Sequence, residues 1–531
     1  MNKKYSAEEV FKKWQKAEQE HSKFVTLYSE VYKYGMPERY GNIQRTEKGV
    51  KGTDDVFTSV FENAFDSFVQ KMQSFLTPVH NDWIALETGV LWDVKEDLAS
   101  RKKAVNESLS KIASILNVFK DNSNFDKAMS QFFYELGAGT GVLLILKGDE
   151  QHPMRFISIP FKDISMLEGP FGTIDTYFRT LTLRNEVIPK QWDVKNFTFQ
   201  ETEKDKERKL LEATYYDDES KKWIYQIYTN DDKKLIYEDS SETSPFVEFR
   251  WNKITGETYG RGQGLKALAD VKTLNLLTYY SLLDLSFTLP VYTVKQDSID
   301  TDTFSLEPGS LNAVISNDKN DPPVSAIPMN QQPDLQQYEM SRLAMNIKKT
   351  MYSDSLPDDP SRDTKATEIR LRARELADIS TNSFGTAVEF IYRIVARMIE
   401  ILASFGYIKG DEDSFSATNL NGIMFRIKLN SNIANQQASE EVQNVLQAVQ
   451  FMQSLDPTLQ YTSKVLNINK LAPYILERLG VKPEFIRNEE EIAAMEQQEA
   501  QAMQMQQQQA LQDEVAVSNA KEEGKAAANG R

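Results

Sequence analysis

Hydrophobic residues recur every three or four positions along most of the first 140 residues, which is the spacing of an amphipathic helix. A capping box formed by Ser6 and Glu9 predicts where the first helix begins. The second helix is expected to begin near Asp54 and Asp55 and to end before Pro78, because proline stops a helix. The four predicted helices cover residues 6–35, 54–77, 97–119 and 125–136.

Residues 140–251 show a different period. Short runs of β-branched and aromatic residues alternate there with turn residues, which is typical of a mostly antiparallel β region. The strands predicted in this region are 141–146, 157–159, 176–183, 213–216, 223–228 and 246–251.

The helix predicted to begin at Gly264 changes character along its length. Its first half has one apolar stripe, whereas residues 274–287 are apolar on nearly every side. A helix that is apolar all round has to be covered all round. The second half is therefore expected in the middle of a large core or in a contact between subunits. The residues predicted at such a contact are Leu274, Leu277, Leu282 and Phe287.

The C-terminal half is dominated by one very long predicted helix. Residues 367–405 would span about 58 Å at 1.5 Å per residue, and Gly385 in the middle of this segment favours a bend. From Glu489 the composition becomes rich in Gln and Met, which is typical of an exposed helix with a disordered end. The other predicted elements are strands 291–294 and 313–316, a helix at 334–352, a loop with two prolines at 353–363, a helical segment from Ser431 to Met452, and a helix at 468–479.

Composition excludes several classes of protein. The 531 residues include 62 Lys and Arg against 78 Asp and Glu, which gives a net charge of −16. Simple adsorption to nucleic acid is therefore disfavoured, because it depends on cations that displace counterions from phosphates. The absence of cysteine excludes disulfides and thiolate chemistry. The longest apolar run, Val142–Leu146, is far shorter than the ~20 residues of a membrane-spanning helix, so no membrane contact is expected.

Motifs for catalysis, cofactors and metals are missing from the sequence. It has no G-x-x-x-x-G-K-[ST] phosphate loop and no G-x-S-x-G nucleophile elbow, and its three histidines lie in separate segments. Gly137–Gly141 stands between a helix and a strand, the reverse of the order in a dinucleotide site. Gly260–Gly264 precedes a helix amino terminus, which can bind anions, although a tight turn is the favoured interpretation. We predict no catalytic residue, no cofactor and no metal site.

Several short motifs stand in a characteristic order between residues 56 and 405, about two thirds of the chain. Phe246–Trp251 leads into the turn Gly256–Gly262, and Arg362–Arg370 precedes the long helix. They resemble the strand with a G-E-x-Y-G-R turn and the R-x-T-A-x-E-I-R motif of the portal, or head-to-tail connector, proteins of short-tailed podovirus-type bacteriophages. The second motif carries one extra residue here. The F-P-x-x-x-W-x-x-L turn and the G-N-V-L-L strand of that family resemble Met72–Leu86 and Gly137–Leu146.

The resemblance implies an α+β, mainly helical subunit that assembles into a ring and is divided into wing, stem, clip and helical C-terminal crown. Mapped onto this chain, the parts are the wing at 1–261, the first stem helix at 262–287, the clip at 288–332, the second stem helix at 333–352, a channel loop at 353–365, the long wing helix with following strands at 366–430, and the crown with a partly disordered tail at 431–531.

The resemblance also implies a function. Such rings, commonly of twelve subunits, stand at one vertex of the capsid, and double-stranded DNA is packaged and ejected through them. The implied partners are a terminase motor, a tail adaptor, the major capsid protein and scaffolding proteins. The protein would be found in the virion, and in the host cytoplasm during assembly.

Four cations are candidates for contact with DNA in the channel. Arg342 and Lys349 lie seven residues apart, and so on nearly one face of the second stem helix. Arg362 and Lys365 lie in the channel loop. A conduit has to let a polyanion slide, and a mostly repulsive wall with a few cations lowers the barriers to sliding. For each cation alone, surface solubility explains the residue equally well.

Two other classes of protein share the general features of this sequence. An acidic scaffold or adaptor protein of a large assembly would also be helical and rich in glutamine. A multidomain enzyme would have to carry a catalytic site without a recognisable motif. A mass measurement would distinguish a portal, because a portal should form a closed ring of about twelve chains of 60.8 kDa each, whereas an enzyme should be small. Electron microscopy would show a central hole or none.

Overall fold

Helices predominate over strands in the structure, so the predicted α+β, mainly helical fold class is confirmed. Helices and strands are interleaved along the chain. The computed structural model describes residues 5–43, 54–79, 82–89, 102–188, 206–286, 292–294, 324–326, 333–353, 386–408, 425–429, 442–443, 445–451, 471–472 and 475–476.

The first helix begins at the predicted capping box. The Glu9 amide donates a hydrogen bond to the Ser6 hydroxyl (3.3 Å), and the Ser6 amide donates one to the Glu9 carboxylate (2.9 Å). Helices α1 to α7 cover Ala7–Gly35, Pro37–Ile43, Val60–Leu76, Lys102–Asp121, Phe125–Ala138, Gln263–Ser286 and Pro333–Thr350. Residues 386–404 are also helical. The short helix α2 has no counterpart among the predicted elements.

The prediction that a helix begins near Asp54 and Asp55 is wrong. These two residues form a turn, and α3 begins at Val60. The turn is held by Asn275 of α6, which accepts a hydrogen bond from the Phe57 amide (2.7 Å) and donates one to the Asp55 carbonyl (2.9 Å). A side chain 220 residues away decides this boundary, so no local sequence signal could have placed it.

The described strands form four antiparallel sheets. Strands β1 to β12 cover Ile84–Thr88, Thr140–Lys147, Met154–Ile159, Ile164–Glu168, Ile174–Arg184, Glu207–Asp217, Lys222–Thr229, Leu235–Ser241, Phe246–Arg250, Tyr292–Val294, Val324–Ala326 and Phe425–Leu429. The largest sheet has the order β4-β5-β6-β7-β8, a meander, and the next has the order β3-β2-β9. All six strands predicted between residues 140 and 251 are present. Strands β1, β4, β8 and β11 were missed, and each lies at a sheet edge.

The region between α6 and α7 contains a small two-stranded sheet. Strand β10 pairs with β11 in an antiparallel register that places Tyr292 opposite Ala326. The strand predicted at 291–294 is therefore confirmed. The strand predicted at 313–316 lies outside the described residues.

The main hydrophobic core surrounds α3, α5 and the three-stranded sheet. Phe132 of α5 is fully buried and stacks on Phe390 of the 386–404 helix, with ring centroids 4.8 Å apart. A second, smaller cluster joins α1 to the five-stranded sheet through Phe11, Phe178 and Tyr228. Helix α1 contributes to both clusters, and this ties the large sheet to the helical part.

The 386–404 helix is fixed to the β region by a charged pair as well as by its apolar face. Arg393 donates hydrogen bonds to the Glu248 carboxylate (2.8 Å) and to the Glu248 carbonyl (2.6 Å). The Glu248 side chain is only 5% exposed. Ile391 and Ile394 are buried, as the apolar period predicted. The preceding part of the predicted long helix, with Gly385, lies outside the described residues.

Candidate functional site: the antiparallel helix pair

Helices α6 and α7 lie side by side and run in opposite directions. Near the start of α6, Gln263 donates a hydrogen bond to the hydroxyl of Tyr352, which follows α7. At the other end, Gln336 of α7 donates one to the Asp284 carboxylate of α6 (3.1 Å). These two contacts define the register of the pair, because they show which residues of α6 are level with which residues of α7.

The N-terminal half of α6 belongs to the core of the subunit itself. Ala267, Val271 and Leu274 are buried in the main cluster. Leu274, one of the predicted contact residues, is only 3% exposed, so its side chain offers little surface to a second chain. Lys272, on the exposed side of the same half, pairs with Glu30 of α1 (2.6 Å).

The turn before α6 needs glycine because two backbone segments meet there. A Cβ atom added to Gly262 would lie 2.3 Å from the Gly137 carbonyl oxygen and 2.5 Å from the Ala138 carbonyl carbon. A Cβ atom on Gly260 would lie 2.5 Å from the Gly139 carbonyl oxygen. The two glycine clusters therefore pack against each other. The first contains the end of α5 and a turn at Gly139, as predicted, whereas residues 260–262 form irregular chain directly before α6.

The C-terminal half of α6 carries large side chains that the subunit leaves exposed. Their exposed fractions lie between 38% and 52%, and the residues are Leu276, Tyr279, Tyr280 and Leu282. Among the other predicted contact residues, Leu277 is half-buried against the main core, and Phe287 lies outside the described residues. Leu282 is thus the one described candidate that is half exposed.

The turn at residues 54–57 extends this exposed surface. The Phe57 ring, itself partly exposed, lies 4.9 Å from the Tyr279 ring, centroid to centroid. The Asp55 carboxylate at its border is 74% exposed and pairs with Lys33 (2.9 Å). We call Phe57, Leu276, Tyr279, Tyr280 and Leu282 the α6 surface.

Helix α7 has one face in the core and an opposite face in solvent. Leu343 and Ile347 are buried in the main cluster. The opposite face is marked by residues spaced three and four apart, which places them on one side of a helix. We call these residues the α7 surface: Leu335, Tyr338, Arg342, Met345 and Lys349. Its three apolar members are 57%, 65% and 64% exposed, and none of them was predicted at a contact from the sequence.

The two helix cations predicted to face DNA thus share a surface with large apolar side chains. Arg342 pairs with Glu339 one turn earlier (2.8 Å), and an exposed pair of this kind contributes about 0–1 kcal/mol. Lys349 is exposed in the last turn of α7, where a cation is favoured by the helix dipole. Arg362 and Lys365 lie outside the described residues.

The described residues hold no group of three or more His, Asp or Glu side chains arranged for a metal ion. One buried carboxyl group, that of Glu135, has structural partners. Burial raises the pKa of Glu135, which accepts hydrogen bonds from the Tyr32 hydroxyl and from the Phe161 amide (3.1 Å). No helix in this part of the chain combines the length and hydropathy that a membrane crossing requires.

The sequence matches a family described as bacteriophage head to tail connecting protein over residues 7–486. The chain belongs to this family. The resemblance found in the sequence motifs is therefore confirmed at the level of the family, while the short-tailed, podovirus-type assignment stays a prediction. The family is structural rather than catalytic, so the prediction that this connector is not an enzyme is also confirmed.

Solved structures similar to this connector come from gene transfer agent (GTA) particles, with 10% sequence identity in each case. One is from the virion of a native GTA particle (TM-score 0.38, covering 74% of this chain and 88% of that chain). The others are necks of an empty particle computed with C6 symmetry (0.36; 75% and 88%) and of a native particle computed with C12 symmetry (0.36; 75% and 87%). TM-scores this low do not support a conclusion about function. No curated protein matches the chain.

Proposed function

We propose that this connector is a portal subunit. Copies of the chain, twelve by analogy with the family, form a closed ring at one capsid vertex, and double-stranded DNA passes through the ring during packaging and ejection. The observation that carries the proposal is the pair of apolar surfaces on α6 and α7, both exposed in the single subunit. A head-to-tail ring needs two different faces on every subunit, because each copy contacts its two neighbours through different surfaces.

The parts of the chain have separate roles in this ring. Helices α6 and α7 form the stem, and segment 288–332, which includes the β10–β11 sheet, forms the clip. The clip docks the terminase motor first and the tail adaptor afterwards. Segments 1–261 and 366–430 form the wing, and residues 431–531 form the crown. These parts contact the major capsid and scaffolding proteins while the particle assembles in the host cytoplasm.

The channel is lined mainly by acidic and neutral groups, with few cations. The loop at 353–365 contains four aspartates and the two cations Arg362 and Lys365. We assign these cations to transient contacts with DNA phosphates, which the neighbouring carboxylates keep weak. Packaging energy comes from the separate terminase, because the sequence contains no phosphate loop that would hold ATP.

Electron microscopy and native mass spectrometry of the purified full chain test the ring. We expect closed particles with a central hole and a mass of about twelve chains of 60.8 kDa each. An enzyme of the alternative class would be a monomer or a small oligomer, and an acidic scaffold would lack a central hole. Either result under conditions where the protein is folded would overturn the proposal.

Particles assembled with the double variant Arg362→Ala, Lys365→Ala test the channel. The ring should assemble normally, because these side chains are assigned to the lumen, but the length of packaged DNA or its leakage should change. Normal filling and retention over a range of salt concentrations would show that the two cations do not contact DNA.

A further inference from the structure

We propose that the α6 surface of one subunit packs against the α7 surface of the next subunit, and that Arg342 lies in this contact rather than in the DNA channel. This inference rests on the ring of the proposed function and specifies which surfaces meet in it. It is motivated by the presence of three large apolar side chains on the face that carries Arg342.

The register of the helix pair determines which residues would meet. A ring generated by rotation keeps every atom at its own height along the axis. If the stem runs along the channel, residues that are level within one subunit are also level between neighbours. The contacts of Gln263 with Tyr352 and of Asp284 with Gln336 define these levels. Counting from the contact of Asp284 places Leu282 level with residue 338 of α7, and counting from the contact of Gln263 places it level with residue 333.

Side chains of the same kind are found at matching heights on the two surfaces. Leu282 lies at the height of Leu335, and Tyr279 and Tyr280 lie at the height of Tyr338. Aromatic pairs of this type gain from edge-to-face and offset packing in addition to the area they bury. Each surface would therefore supply an apolar partner where the other exposes one.

Charge is also complementary at the height of Arg342. By the same count Arg342 is level with Asn275, the residue that holds the turn with Asp54 and Asp55. An approaching α7 surface would bring the Arg342 guanidinium toward the exposed Asp55 carboxylate at the border of the α6 surface. In a water-filled channel, the same orientation of α7 would leave Tyr338 and Met345 in solvent, although exposed apolar patches mark contact sites.

The lack of native cysteine makes cross-linking a clean test. In the double variant Leu282→Cys, Leu335→Cys, both positions are half exposed, so neither change disturbs the core. Mild oxidation of purified rings should produce a ladder of covalently linked chains on denaturing gels, extending to the full ring. Each single variant should remain monomeric on the same gel.

A matched control keeps the cysteine at position 282 and moves the second cysteine to a different height along α7. Lys349 is exposed on the α7 surface, but it lies about 16 Å further along the helix than residue 338. That distance exceeds the reach of a disulfide, whose Cα atoms are less than ~7 Å apart. The variant Leu282→Cys, Lys349→Cys should therefore form rings but no ladder.

The outcomes separate this inference from the ring itself. Rings without a ladder from the 282 and 335 pair, or with an equal ladder from the control pair, would overturn the proposed contact and leave the ring in place. The absence of rings in the unmodified chain would contradict the proposed function instead.

Arg342→Ala should lower the denaturant concentration at which rings dissociate, with Lys348→Ala as control. If ring stability is unchanged while DNA packaging is altered, Arg342 lies in the channel and not in the contact between subunits.

Discussion

Gln336 of α7 donates a 3.1 Å hydrogen bond to the Asp284 carboxylate of α6, at the end of the helix pair farthest from the core. The contact holds the two helices together at the end where the side chains of Leu282 and Leu335 are 50% and 57% exposed. It keeps the α6 and α7 surfaces in a constant relation to each other. Both surfaces can then be presented to neighbouring subunits at the same time.

Tyr338→Asp should abolish ring assembly while leaving the subunit folded. The Tyr338 side chain is 65% exposed in the subunit, so the charge is hydrated in the monomer, whereas it would be buried without a partner in a subunit contact, at a cost of several kcal/mol. Sedimentation velocity should show monomers or small oligomers, and circular dichroism should be unchanged. Gln337→Asp is the matched control, because Gln337 is an exposed neighbour outside the α7 surface. Rings at normal yield for Tyr338→Asp would show that the α7 surface does not lie in the contact between subunits.

Arg393→Ala should loosen the 386–404 helix and destabilise the fold by about 3 kcal/mol. The change leaves the nearly buried Glu248 carboxylate without its guanidinium partner. Hydrogen exchange should increase along residues 386–404, and the thermal unfolding temperature should fall. The control Lys33→Ala removes an exposed pair with Asp55 and should cost about 0–1 kcal/mol. Equal losses of stability in the two variants would show that the Glu248–Arg393 pair contributes no more than an exposed pair.

Gly262→Ala should destabilise the fold much more than Gly256→Ala. At Gly256 (φ 88°) an added Cβ atom meets no other atom within 4 Å, so only the left-handed backbone cost of about 1 kcal/mol applies. At Gly262 the Cβ atom would lie 2.3 Å from the Gly137 carbonyl oxygen, and backbone cannot move aside cheaply. We expect a loss of about 3 kcal/mol or poor soluble yield. Similar unfolding temperatures for the two variants would show that the close approach is easily relieved.

Glu135→Gln should reduce the pH dependence of stability above pH 4.5. Burial raises the pKa of the Glu135 carboxyl above its ordinary value of 4.5, and the hydrogen bond from Tyr32 offsets this only in part. The folded chain therefore binds this proton more tightly than the unfolded chain, so Glu135 contributes stability at low pH that is lost as pH rises through its folded pKa. Urea unfolding at a series of pH values should show a smaller loss in the Gln variant.

Glu168→Gln provides a control of opposite sign for the same titration. Burial acts to raise the pKa of Glu168, but hydrogen bonds from Lys253 and Arg250 outweigh it and lower the pKa below 4.5. Glu168 therefore contributes stability above its ordinary pKa that is lost as pH falls through the folded pKa. The Gln variant should show a smaller loss on acidification. A pH dependence unchanged in both variants would contradict both assignments.

Several features of this connector were predictable from the sequence because they depend on residues close together in the chain. The capping box of Ser6 and Glu9 begins α1 as predicted, and α5 ends within the glycine cluster at 137–141, where the sequence indicated a stop. The order of motifs along the chain was sufficient to identify the family, since that order does not depend on how the segments pack.

Other features were decided by the tertiary structure alone. The all-round apolar pattern of α6 did not show that Leu274 lies in the core of the subunit while Leu282 is exposed, because burial depends on which distant segments cover each turn. The start of α3 depends on Asn275, and the Glu248–Arg393 pair joins residues 145 positions apart. The seven-residue spacing of Arg342 and Lys349 placed them on one face, but only packing of Leu343 and Ile347 into the core turned that face to solvent together with Tyr338 and Met345. Sequence periodicity defines the faces of a helix, and the competition among all segments for the limited interior decides which face is buried.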